Sequence, residues 1–296
     1  MKIRFINSTV LRFLLASNLL IGLLALFNSS RALAVGFWTP LAHTAPDSVE
    51  LMLLLPDGTV MGANNPSDSF GDQGRNWYRL TPDGHGNYAN GTWSTLAAMN
   101  DTRLFYSSDV LRDGRVFVAG GEYGSGRNTA EIYDPQANTW TYINPPTSLI
   151  NPNAVSPIFS SIKQGFIDSD SMVVADGRVL ISPVAPNTYG GTLYYDPVAN
   201  SWSAGPTTAS AYQDEASWVK LPDGSILTID PFGTSTERYI PALNRWIPDQ
   251  SAPTSLYSPV GGEMGPAFLL PDGRAFFLGG SGHTAYYIPS GNTIDQ

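Results

Sequence analysis

Six acidic residues stand immediately before apolar stretches at widely separated points of the chain: Glu50, Asp168, Asp170, Asp214, Glu215 and Glu263. Carboxylates delivered to one place by separate segments could hold a hard cation such as calcium, whose shell is built from oxygens. A solvated acidic rim would account for the same residues. Paired carboxylates also serve acid and base catalysis, but the separation on which that chemistry turns is not written in a sequence. Tyr123, Tyr189, Tyr212, Phe232 and Tyr257 fall in loop-like stretches, where a flat ring can face sugar C–H bonds or a cation, or can cap the end of a core. The histidines are His43, His85 and His283. His43 and His283 suit a transition metal if the fold brings them together, and are surface residues otherwise. No Ser-His-Asp arrangement, phosphate loop or dinucleotide glycine fingerprint is recognisable.

The elements that must position these residues are read from punctuation. Asp-Gly pairs occur at 57–58, 113–114, 176–177, 223–224 and 272–273, each between apolar segments. Glycine after a turn aspartate supplies the positive φ of a tight hairpin. After each pair comes an apolar-x-Pro turn, and the steps from Pro135 to Trp140, Pro197 to Trp202 and Pro241 to Trp246 are equal. In the first unit the turn is extended by His85 to Asn90 before Trp93. A repeat of roughly 40 to 50 residues with four strands is the signature of a propeller blade, and the glycine pair, tyrosine and tryptophan select the kelch type. The expected fold is all-β, with about five four-stranded antiparallel blades. Inner strands are predicted over Met52 to Leu55, Met172 to Ala175, Val179 to Ile181, Ala267 to Leu270 and Ala275 to Leu278, with no sustained helical period.

Residues 1–34 read as a signal peptide: Lys2, Arg4 and Arg12 precede the apolar run Phe13 to Phe27, and Ala32-Leu33-Ala34 is a small-x-small cleavage pattern. The run is short for a membrane span of about 20 residues. Residues 35–296 are then the propeller domain of a secreted protein, extracellular or periplasmic. The whole chain has a net charge of −9, and the leader removes four basic residues and no acidic ones. That balance repels phosphate backbones and anionic membranes, so neither nucleic acid nor an inserted membrane is expected as partner. There is no cysteine, so stability must come from burial rather than from disulfides.

Trp38 lies in Gly36 to Leu41, which resembles the fourth strands around Trp140 and Trp202, and is expected to complete the last blade. Ile294 claims the same slot. The favoured reading is an incomplete ring of six or seven blades, the other a five-blade ring closed by the leading segment. Hairpin geometry puts the short Asp-Gly and Asp-Pro turns on one rim. The other rim carries the long connections Asn64 to Asn76, Glu122 to Thr129, Asn144 to Gly165, Pro183 to Gly191, Pro231 to Thr236 and Asp249 to Gly265. Ligand-binding residues are expected there, because long loops on a rigid scaffold collect them.

Arg103-Leu104-Phe105-Tyr106-Ser107-Ser108, running into Asp113-Gly114-Arg115-Val116-Phe117 and Gly120-Gly121, resembles a blade of the galactose oxidase and glyoxal oxidase family. The chain from Gly36 to Gln296 is similar to bacterial secreted kelch-repeat proteins with such a propeller. The resemblance implies a copper-radical site with a tyrosine two residues after the motif arginine, cross-linked to a cysteine. Phe105 stands at that tyrosine position, and the cysteine is absent. A family stacking position falls near Tyr123, while the Tyr257 to Phe268 stretch supplies no Tyr-His pair. Tyr106 replaces the phenol only by a one-residue shift, which turns a strand side chain to the opposite face. Copper is therefore not expected. The reading is a non-catalytic ligand-binding module for carbohydrate or a cell-surface protein, with Arg103, Tyr106, Tyr123, Tyr189, Tyr212 and Phe232 as contacts and no cofactor beyond calcium. The alternatives are a copper-radical oxidoreductase or its degenerate relative, and a structural or adhesive surface protein.

Overall fold

A computed structural model describes residues 37–65, 74–157, 160–209 and 213–289. The chain divides into a leading segment that ends at Pro40 and a compact unit, Leu41–Gln296. Within the unit the architecture is a kelch-type β-propeller. Blade one has β1 (Val49–Leu54), β2 (Val60–Asn64), β3 (Trp77–Thr81) and β4 (Thr92–Thr95) in spatial order. A short ribbon of β5 (Arg103–Leu104) and β8 (Tyr123–Gly124) flanks blade two, which consists of β6 (Ser107–Val110), β7 (Val116–Ala119), β9 (Ala130–Asp134) and β10 (Thr139–Tyr142). Blade three is β11 (Asp170–Val173), β12 (Val179–Ser182), β13 (Leu193–Asp196) and β14 (Ser201–Ala204). Blade four is β15 (Val219–Lys220), β16 (Ile226–Ile229), β17 (Thr236–Ile240) and β18 (Arg245–Asp249). Blade five shows β19 (Ala267–Leu269), β20 (Ala275–Leu278) and β21 (Thr284–Tyr287). The only helices among the described residues are 3-10 turns at Tyr88–Asn90 and Pro241–Leu243.

The five Asp-Gly hairpins are one structure repeated. Each glycine has positive φ, from 80° at Gly58 to 95° at Gly177, a region closed to most side chains. Each aspartate Oδ1 accepts the backbone N–H two residues on: Thr59, Arg115, Arg178, Ser225 and Arg274. The side chain thereby satisfies a donor that the tight turn leaves without a ladder partner.

A second repeat sits in the three-to-four turns. Asn138, Asn200 and Asn244 adopt left-handed φ of 51°, 49° and 47°, which asparagine tolerates better than most residues. Their Oδ1 atoms accept hydroxyls from Tyr133 (2.9 Å), Tyr195 (2.8 Å) and Tyr194 (2.6 Å). Two residues later comes each tryptophan. Trp140 Nε1 donates to the Ala97 carbonyl at 2.9 Å, and Trp202 Nε1 to that of Ile143, so each ring fastens its blade to the end of the preceding one.

Burial explains the continuous apolar inner strands. Met61 and Trp77 of blade one meet Val118, Tyr133 and Trp140 of blade two; Phe117 and Ile132 meet Val179, Ile181 and Tyr195 of blade three. Leu180 and Tyr194 then meet Ile226 and Trp246 of blade four, and Leu227 and Ile229 meet Ala275 and Phe277 of blade five. The second strands β7, β12 and β16 are buried at every position because both sheet faces are covered.

Three expectations change. Phe37 to Pro40 form no strand, so the fourth strand expected at Trp38 is not one; its rival Ile294 lies outside the described residues. The inner strand of blade one begins at Val49 rather than Met52, which puts Glu50 inside a strand instead of before it. Asp170 likewise opens β11, and Tyr123 belongs to a paired ribbon rather than a free loop.

The asparagine turns give a ranking. Asn200→Gly keeps the backbone conformation and loses the acceptor, whereas Asn200→Ala loses both. Thermal denaturation should order wild type above Gly above Ala, the last step costing about 1 to 2 kcal/mol. An alanine variant as stable as the glycine variant would contradict this account of the turn.

Candidate functional site

Phe105, Asp168 and Glu215 occupy one structural position in three consecutive blades. Each lies eight residues before its turn aspartate, on the approach to the inner strand, and each has left-handed φ: 53°, 45° and 56°. Such a conformation in non-glycine residues costs of order 1 to 3 kcal/mol and is retained where the surroundings hold it. At this bend the Asp168 and Glu215 side chains come together on the loop-rich rim. Blades three and four place acids there. A third carboxylate arrives from blade two, where Glu122 follows Gly120-Gly121 and its N–H donates to the Leu104 carbonyl at 2.9 Å.

Carboxylate oxygens of Glu122, Asp168 and Glu215 all lie within 4.8 Å of one another. Their charges oppose each other. Burial first, then Glu215, Glu122 and Asp214, push the Asp168 carboxyl up to about 8, with Arg127 pulling the other way. Burial, Asp214, Glu263 and Glu122 push Glu215 up to about 7. Asp214 is raised by burial and by Glu122. Asp170 is raised well above the usual range by burial, then by Asp109 and Glu215. Glu122, Asp168, Asp214 and Glu215 line a pocket of about 580 Å³ together with Arg127, Lys163, Ile162, Ile167 and Val184.

Next to the carboxylates, Phe105 and Tyr123 meet edge to face with ring centroids 6.4 Å apart. Phe105 is half exposed, and a hydrogen bond to the Glu122 carboxylate, ahead of burial, raises the Tyr123 phenol. Tyr189 is also half exposed, in the loop after β12. Phe232 pairs with Tyr257 at 5.2 Å. Tyr212 lies outside the described residues.

Arg103 and Tyr106 are not on this surface. The Arg103 side chain is buried: Nη1 donates to the carbonyls of Gly120 (2.8 Å), Gly126 (2.8 Å) and Thr129 (3.0 Å), and Nη2 to Glu131 at 2.9 Å. Glu131 in turn accepts from Asn100 and Asp101. The arginine thus binds the β5–β8 ribbon to β9 and has no face left for a ligand on the rim. Tyr106 packs against the core between blades one and two, and burial raises its phenol. Glu50 lies on β1 and is no member of the carboxylate group. His43 bonds the Gly91 carbonyl at 3.1 Å, beside the turn before β4, whereas His283 bonds Ser281 in blade five.

The donor set decides which ion fits. Three oxygens at most 4.8 Å apart can share a centre no more than about 2.8 Å from each, close to the roughly 2.3–2.6 Å of a calcium–oxygen bond. Copper does not fit: the group is all carboxylate, Phe105 offers no donor, and the chain has no cysteine. Glu122 was not among the acids singled out from sequence, because it follows a second strand instead of preceding a first. Its position after the glycine pair on the loop-rich rim was the available signal.

A kelch motif matches residues 104–147. Galactose oxidase from Gibberella zeae is 27% identical over 213 residues, 64% of this chain and 29% of that protein. A kelch-repeat and BTB-domain protein of Caenorhabditis elegans is 34% identical over 119 residues, 37% of this chain and 17% of that one. The chain therefore spans under a third of the length of either curated relative. A solved structure of YjhT aligns with TM-score 0.53 at 17% identity, over 79% of this chain and 73% of that one, which speaks to fold alone. Among sequences, the likeness is to kelch propellers that include galactose oxidase.

Two measurements check this geometry. The folded Asp168 and Glu215 carboxyls hold protons that the unfolded chain has already released, so stability falls as pH rises from about 4 to about 8. In chelator, Asp168→Asn should raise the melting temperature at pH 8, leave it nearly unchanged at pH 4 and flatten the slope between; equal slopes would contradict the cluster. Arg103→Met leaves Glu131 buried without its cation and should destabilise by about 3 to 5 kcal/mol in denaturant unfolding.

Proposed function

We propose that this chain is an exported, non-catalytic binding propeller that takes carbohydrate on its loop-rich rim, with a calcium ion at Glu122, Asp168 and Glu215. The observation that carries the reading is the carboxylate group lining one pocket, with the Tyr123 phenol hydrogen-bonded to Glu122 and its ring meeting Phe105 edge to face. Three carboxylates neutralise a divalent cation and leave part of its oxygen shell for a ligand. Vicinal sugar hydroxyls supply such oxygens and donate to the remaining carboxylate lone pairs. An exposed ring face covers the apolar C–H side of the same sugar. Export rests on the charged and apolar leader with its small-x-small end.

The sequence likeness to galactose oxidase supports a second reading, a copper-radical oxidoreductase or its degenerate relative. The donor set described above opposes it.

Titration calorimetry with calcium, followed by a glycan screen with and without chelator, tests the proposal. Calcium should bind once per chain. Glu122→Gln should weaken it about tenfold or more, or about 1.4 kcal/mol, and glycan binding should vanish in chelator. Stoichiometric copper with peroxide release from alcohols or aldehydes would overturn the reading in favour of the oxidase. Absence of any glycan ligand would favour a structural or adhesive role.

A further inference from the structure

The pocket that holds the carboxylates is not acidic throughout. Arg127 and Lys163 line it together with Glu122, Asp168, Asp214 and Glu215. Two charges from calcium and one each from Arg127 and Lys163 balance the four carboxylates, so the loaded pocket does not repel an anion. The opposite charges do not cancel by direct pairing. Among the described residues neither Arg127 nor Lys163 forms an ion pair, and the Arg127 guanidinium donates no hydrogen bond. Lys163 Nζ reaches the Asn153 carbonyl at 3.4 Å, a long contact. The Arg127 charge is nevertheless close to the group, because it pulls on the Asp168 carboxyl and on the Tyr123 phenol, opposing the upward shift of each.

The backbone holds Arg127 in place. It lies in the loop from β8 to β9, between Gly126 and Thr129, whose carbonyls both accept from the buried Arg103 Nη1 at 2.8 Å and 3.0 Å. The Arg127 carbonyl accepts the Phe166 N–H at 2.8 Å, and the Phe166 carbonyl accepts the Gly121 N–H at 3.1 Å. A Cβ on Gly165 would stand 2.8 Å from the Arg127 carbonyl, so the close approach of these two segments uses the missing side chain. A loop fastened at several points gives up little freedom when its exposed side chain takes a ligand.

We propose that the sugar bound on this rim is a uronic acid, whose carboxylate is gripped by the Arg127 guanidinium with Lys163 as a second charge. The inference rests on the carbohydrate reading given above and adds the class of sugar. A guanidinium presents N–H donors in a planar fork that matches the two oxygens of a carboxylate. A neutral hexose has no group that uses both prongs. The ring hydroxyls remain for the calcium shell, so the two ends of one sugar are told apart by two different cations.

Titration calorimetry on the full chain in calcium tests this, with the methyl glycosides of glucuronic, galacturonic and mannuronic acid each set against its methyl ester. The ester keeps the shape of the sugar and removes its charge. At least one acid should bind about tenfold or more tightly than its ester, the range of a hydrogen bond to a charged group. Arg127→Gln, at an exposed position, should keep the melting temperature and bind acid and ester equally. Arg112→Gln removes the same charge beside an Asp-Gly turn on the opposite rim and should keep the preference. Acid and ester bound alike throughout would overturn this inference and leave the carbohydrate reading standing, whereas no binding of either form, or of any glycan, would overturn both. A preference that survives Arg127→Gln would also overturn it, because calcium alone would then be reading the charge. So would tighter binding of a 6-sulfated hexose than of any uronic acid.

Discussion

A β-sheet with apolar residues on both faces is stable only between two neighbours, and that requirement organises this molecule. Phe117 and Val118, adjacent in β7, both have no exposed surface because one points to blade three and the other to blade one. Alternation of side chains along a strand converts a run of apolar residues into two separate cores. At the first two seams a tryptophan completes the contact: the ring of Trp140 or Trp202 fills the outer gap and its N–H bonds a carbonyl of the preceding blade. Stability of such an array is a sum over adjacent pairs, and its end faces are special.

Turn chemistry sets where side chains emerge. The same position, eight residues before the Asp-Gly aspartate, bends through left-handed φ in blades two, three and four, and the residue type there determines the chemistry of the rim. A phenyl at Phe105 gives an aromatic wall, while carboxylates at Asp168 and Glu215 give an acidic one. With Glu122 arriving from the neighbouring ribbon, three negative groups are held closer than their charges favour, and two of them keep their protons toward neutral pH. Strain and like-charge repulsion of this kind collect at functional sites and do not add stability.

Much of the fold was legible because its devices are local. Asp-Gly pairs and the fixed step from proline to tryptophan are properties of single hairpins, and they appeared at the predicted places. The asparagines at 138, 200 and 244 were equally visible, yet their role needs a tyrosine hydroxyl, from the same hairpin at Asn138 and Asn200 and from blade three at Asn244. The site was only half legible. Asp168 and Glu215 could be picked as acids before inner strands, but Glu50 satisfies the same rule and stands in β1, and Glu122 breaks the rule and joins the group. Arg103 and Tyr106 show the limit most clearly. Their types suggested a ligand, whereas the Glu131 carboxylate and the carbonyls of three glycine- and threonine-bearing segments draw the arginine inward. Such pairings across the chain are invisible to periodicity.

The central claim is that separate blades deliver Glu122, Asp168 and Glu215 to one cation. Crystals soaked in terbium, a calcium substitute with strong anomalous scattering, test it directly. The account predicts one dominant anomalous peak within about 2.6 Å of oxygens from all three residues. No peak there, or one bound elsewhere with these carboxylates turned apart, would contradict it.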